Sequence, residues 1–138
     1  MATRPETENF LHEVERLAHR KFSYRNEITV LLELAEATKR QTVLDEIVFF
    51  AKFLTKAQDI LQRQGIAAED TQKLSEEYST TLLKTTKLIQ TLFQDASEEI
   101  RKTFEQKFFS MTHEAMGNYI ALLKELSWLK NYAVDKKH

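Results

Sequence analysis

Four residues near the N-terminus combine metal-ligating chemistry with helical spacing. Glu8, His12, Glu15 and His19 are separated by 4, 3 and 4 positions, which places them on one side of a helix. Imidazole and carboxylate groups can ligate a divalent or transition metal, so a metal-binding bundle using this helix is one reading. The competing reading is a wet face, away from the Phe10/Val14/Leu17 stripe, whose Glu–His pairs contribute a few tenths of a kcal/mol each. A complete bundle site needs ligands from a second element, and the di-iron type needs Glu-x-x-His on two helices. Here Asn9, Arg16, Ser110 and Asp135 stand three positions before His12, His19, His113 and His138. None is Glu, so that pattern fails. A carboxylate-only metal site stays open, and no metal ligand or cofactor is assigned.

The second chemical candidate is His113, in Thr112-His113-Glu114-Ala115-Met116-Gly117. His113 with Gly117 four positions on resembles the histidine-phosphotransfer family, whose members are all-helical bundles. The resemblance is confined to these two residues, with Ala115 small and apolar between them. It implies a phosphorelay role with His113 as phosphoacceptor, the glycine leaving room for the phosphorylated imidazole. The family usually carries Lys three positions after the His, where this chain has Met116. The structural alternative is a flanking His beside a Gly that admits a neighbouring helix. A Gly inside a helix costs about 1 kcal/mol relative to Ala, and close packing would account for it.

No enzymatic signature is present. The sequence has no Gly-rich phosphate loop, no Gly-x-Ser-x-Gly and no His-Glu-x-x-His. Absence of cysteine removes disulfides, zinc–thiolate sites, iron–sulfur clusters and cysteine nucleophiles together. A chain without enzymatic activity is expected.

The elements that must position these residues are helices. Among 138 residues there are 2 Gly and 1 Pro, too few for the turns of a sandwich, barrel or doubly wound sheet. The length suits a single domain spanning residues 1–138. Such a chain buries roughly 68% of its unfolded surface, so it needs no staple.

Pro5 and the acidic Glu6 and Glu8 suit the start of helix 1. Its stripe runs through Phe10, Leu11, Val14, Leu17 and Ala18, then Tyr24, Ile28, Leu31, Leu32 and Ala35. The spacing is compatible with one helix to about Thr38 or with two, Ser23 or Asn26 capping the second. Thr42 with Asp45 resembles a capping box for helix 2. Val43, Ile47, Phe50, Leu54, Ala57 and Leu61 then form a heptad-like, coiled-coil seam up to about Gln64. Gly65 marks a chain reversal. Helix 3 starts near Glu69 or Asp70, and Ser97 followed by Glu98 and Glu99 suits the start of helix 4. Ile100, Phe104, Phe108, Met111, Ala115, Tyr119, Leu122, Leu126, Leu129 and Ala133 form one uninterrupted stripe on helix 4. Its steps of three and four also leave a single rod through helices 3 and 4 open. The expected fold is an all-α, up-and-down bundle of four principal helices, with Phe50, Leu54, Phe104 and Phe108 in its core.

Apolar residues exceed what one core face needs. On helix 2, Val48, Phe49 and Phe53 lie off the seam. On helix 4, Phe109, Met116, Ile120 and Leu123 form a second strip, and Trp128 and Tyr132 lie four apart off the stripe. A helix with such coverage is either central or covered by a second chain. Self-association as a homodimer is therefore expected, through Phe49, Phe53, Phe109, Met116, Ile120, Leu123, Trp128 and Tyr132. Lys+Arg number 20 against 21 Asp+Glu, interspersed, for a net charge of −1. That balance lacks the basic footprint of a nucleic-acid binder. No run of about 18 apolar residues exists, and the first residues lack the apolar core of a signal peptide. No membrane contact and a cytoplasmic location are expected, with an unidentified protein partner as the other candidate ligand.

Overall fold

A computed structural model describes residues 5–63, 65 and 67–135, with side chains to Leu129. It is an all-α helical bundle. The helices are α1 (Pro5–Ala18), α2 (Arg25–Ala37), α3 (Gln41–Leu61), α4 (Ala68–Leu92), α5 (Glu98–Phe104) and α6 (His113–Asp135). Helix α3 is central and packs most extensively against α4 and α6. Helix α1 packs on α6 and α2, and α2 packs on α3. Among the described residues no helix is long and apolar enough to cross a membrane.

The first expected helix is two. Helix α1 ends with His19 in the left-handed conformation at φ 55°, and α2 ends the same way with Lys39 at φ 58°. Each is followed by a backbone bond spanning the last turn, Arg20 N to Glu15 O at 3.2 Å and Arg40 N to Ala35 O at 2.7 Å. These are glycine-type helix ends built without glycine. Neither Ser23 nor Asn26 caps α2. Tyr24 is its N-cap residue and makes no side-chain capping bond. Glu125 of α6 substitutes, accepting from Ser23 N at 2.8 Å and Tyr24 N at 2.9 Å. Glu15 likewise accepts from Phe22 N at 2.8 Å.

Two further expectations are corrected at α3. The helix starts at Gln41 behind Arg40, with no side-chain cap, so Thr42 and Asp45 form no capping box. Arg40 instead donates to the Thr91 carbonyl at 2.6 Å, satisfying the C-terminal end of α4. The buried positions of α3 are Leu44, Ile47, Val48, Ala51, Leu54 and Ala57. Val48 thus belongs to the core, while Val43, Phe50 and Leu61 are only half-buried. The reason is that α3 sits between two long helices. Its buried face widens beyond a two-stranded seam, and Ala51 and Ala57 permit close approach.

Helices α4 and α5 are separate. A 3₁₀ turn at Phe93–Asp95 and extended Ala96 end the first, and the Ser97 hydroxyl caps the second by accepting from Ile100 N. The expected single helix 4 is broken. A π turn at Glu105–Phe109 follows α5, and Ser110–Thr112 leave the helix before α6. Thr112 Oγ1 accepts from Ala115 N at 3.1 Å and restarts it. Met111, assigned to the core stripe by spacing, is fully exposed at 105%. An aromatic chain stabilises the corner: Phe93–Phe104 rings lie 4.4 Å apart, Phe104–Phe108 5.3 Å and Tyr24–Phe108 5.6 Å. Lys107 ties it to α2 through Glu27 at 2.7 Å.

Candidate interaction surface

Two grooves with exposed apolar side chains flank α4. On one flank, Leu82, Leu83 and Thr86 of α4 face Phe109, Met111, His113, Met116 and Tyr119 across a groove of about 570 Å3. On the other, Phe49, Phe50 and Phe53 of α3 border a groove of about 500 Å3 with Lys73, Glu76, Thr80 and Lys84 of α4. Four large apolar side chains rise from these grooves or their rims: Phe49 is 60% exposed, Leu83 66%, Met111 105% and Met116 52%.

The floor of the first groove is firm. Thr86 Oγ1 and Tyr119 Oη are hydrogen-bonded at 2.9 Å, and Phe109 stacks edge-on against Tyr119 at 5.3 Å. Burial raises the Tyr119 phenol above its ordinary pKa. The Thr86 bond opposes this, and the nearby Tyr78 adds to it.

The sequence-predicted interface residues are not brought together. Phe49 and Met116 are exposed on opposite flanks of α4. Phe53 and Phe109 are half-buried and pack on the core. Ile120 is half-buried. Leu123 is 1% exposed and belongs to the core, which removes it from any interface with a second chain. The reason is the extra layer: α1, α3 and the π turn all pack on α6, which covers the second strip at Leu123 and leaves it open at Met116. Trp128 is half-buried against Phe22, with ring centroids 5.3 Å apart and the Arg20 guanidinium above it at 5.5 Å. The Tyr132 side chain lies outside the described residues. Leu83 and Met111 were missed. Leu83 stands as a lone apolar residue on its exposed face of α4, beside half-buried Leu82, and Met111 was hidden by the broken helix.

His113 is the first residue of α6 and is exposed. A Cβ built on Gly117 meets nothing within 4 Å, so Gly117 admits no neighbouring helix and close packing does not explain it. The Glu8/His12/Glu15/His19 set is also rearranged. His19 leaves the helix in its left-handed turn. Glu8 pairs with Arg25 at 2.8 Å, and Glu15 bonds Phe22 N and lies 3.9 Å from Arg25. Arg25 of α2 thus closes the face at Glu8 and Glu15, whose carboxylates serve the α1–α2 corner, while His12 stays exposed with its ring 3.8 Å from Glu15. Among the described residues no group of three or more His, Asp or Glu could hold a metal ion.

The chain was compared with protein-family models, curated proteins and solved structures. Nothing matches.

Proposed function

We propose that this chain is a non-enzymatic helical interaction module whose partner is a second copy of itself, bound through the face centred on α4. The observation that carries the reading is the coincidence of knobs and holes on one surface. Exposed Leu83, Met111 and Met116 stand beside the groove they border. A two-fold interface requires a patch that is its own complement, and protruding methionines next to an apolar groove supply one, since Met adapts to irregular gaps. A net charge of −1 adds no long-range repulsion between copies. Helix α4 is 25 residues, about 37 Å long at 1.5 Å per residue. A standard interface buries roughly 800 Å2 per partner, which is what this reading requires of the α4 face.

The experiment is Leu83→Glu. Leu83 is exposed, so the variant keeps its helical circular dichroism. Its dimer should dissociate at micromolar concentration, because a carboxylate at the centre of an apolar contact is desolvated without a partner. An unchanged dimer would place the interface elsewhere, with Trp128 next.

A second reading uses His113 as a phosphoacceptor, favoured by its exposure and by the open space at Gly117. Acid-labile, base-stable phosphate on the wild type and not on His113→Gln would establish it. Absence of label with competent phosphodonors would reject it.

A further inference from the structure

Helix α4 carries an exposed seam with an uneven charge. Glu69, Lys73, Glu76, Thr80, Leu83, Lys87 and Gln90 follow at steps of 4, 3, 4, 3, 4 and 3, and every one of them is exposed. Such steps keep them on one face. Acids crowd the first half of the helix, where Glu69, Asp70, Glu76 and Glu77 outnumber Lys73. The second half holds Lys84 and Lys87 and no acid. Neither Glu76 nor Lys87 has an ion pair within the chain among the described residues.

We infer that two copies pair with their α4 helices antiparallel, Glu76 of each copy facing Lys87 of the other. This rests on the self-association proposed above and specifies its geometry. Parallel α4 helices would set acid against acid and lysine against lysine. Antiparallel helices set the acidic half of each against the basic half of the other and also oppose their dipoles.

Register follows from Leu83. The most exposed apolar side chain of α4 is best covered by the least polar seam position, Thr80. Placing Leu83 of each copy opposite Thr80 of the other puts the two-fold axis between residues 81 and 82. Glu76 then lies opposite Lys87, and Lys73 opposite neutral Gln90. Setting Thr80 on Thr80 instead brings Lys73 against Lys87. Setting Leu83 on Leu83 leaves Glu76 and Lys87 without partners. Glu76 and Lys87 are 11 residues apart, about 16 Å along the axis, so a shallow crossing of about 20° keeps both pairs within reach. Phe49 on one side and Met116 on the other then border the contact as apolar margins. The charged pairs lie at solvent-accessible positions, where they set register and encounter more than affinity.

The test is a charge exchange in the full chain, read by light scattering after size exclusion. Glu76→Lys and Lys87→Glu each place like charges opposite one another twice per dimer. Each variant alone should weaken self-association about tenfold or more. Mixed in equal amounts, the two should form a one-to-one heterodimer of near wild-type affinity, since every pair is again opposite in sign. Circular dichroism should be unchanged throughout, both positions being exposed. Singles that dimerise like wild type would overturn the α4 pairing and leave self-association standing. Weakened singles whose mixture stays monomeric would overturn the register. A monomeric wild type would overturn the self-association reading and this inference with it.

Discussion

Glu125 and Tyr24 are joined across 101 residues of sequence, the Glu125 Oε1 accepting the Tyr24 backbone N–H at 2.9 Å. The other oxygen accepts from Ser23 N at 2.8 Å. One carboxylate, 7% exposed, thus satisfies two donors at the start of α2 that no local side chain caps. Glu125→Ala should cost about 2–3 kcal/mol, because charge-assisted bonds are lost and two donors are left unpaired. Glu125→Gln keeps one acceptor and should cost less. Urea midpoints check both; an alanine variant within about 0.5 kcal/mol of wild type would contradict the capping role.

Lys39 holds a conformation suited to glycine, at φ 58°. Lys39→Gly should raise stability by about 0.5–1 kcal/mol, the relief of left-handed strain exceeding glycine's extra freedom in the unfolded chain. Lys39→Ala should not. Thermal unfolding separates the two, and a destabilised glycine variant would reject this account of the helix end.

Gly117 lies inside α6, is exposed, and has open space where a Cβ would stand. Gly117→Ala should stabilise by about 1 kcal/mol, the helix-propensity difference. A loss of stability would mean that some contact requires the glycine.

Tyr119 keeps its proton more tightly folded than unfolded, because burial disfavours the phenolate. The stabilisation is complete below the unfolded tyrosine pKa of about 10 and is lost as pH rises beyond it, where the unfolded chain gives up its proton first. Tyr119→Phe should flatten that alkaline decline while costing about 1 kcal/mol at neutral pH for the Thr86 bond. Urea titrations at neutral pH and above pH ~10 measure both effects. An unchanged alkaline slope would assign the decline to other groups.

The all-α class was legible from scarce Gly and Pro and from steps of three and four, and Ser97 was legible as a cap because its bond is local. The break around Lys39 was legible from the polar stretch between Thr38 and Thr42, but the one at His19 was left open, since left-handed ends usually carry Gly and this one carries His. The capping of α2 was invisible because its acceptor, Glu125, is supplied by a distant helix. The stripe from Phe108 to Ala115 read straight through the Ser110–Thr112 break because Met111 falls at a helical step. That one misplacement hid the α4–α6 groove, whose rim Met111 forms. The surplus on helix 4 was read as surface because burial by a third layer is a tertiary fact; Leu123 sits under it. Phe49 and Met116 were legible because both lie off the main stripes, and both stay more than half exposed.

Sedimentation equilibrium of the wild-type chain at micromolar concentration tests the central claim most directly. A self-associating module gives twice the chain mass of 16.2 kDa, falling toward the monomer on dilution and in Leu83→Glu. A single species of 16.2 kDa at every concentration would contradict it.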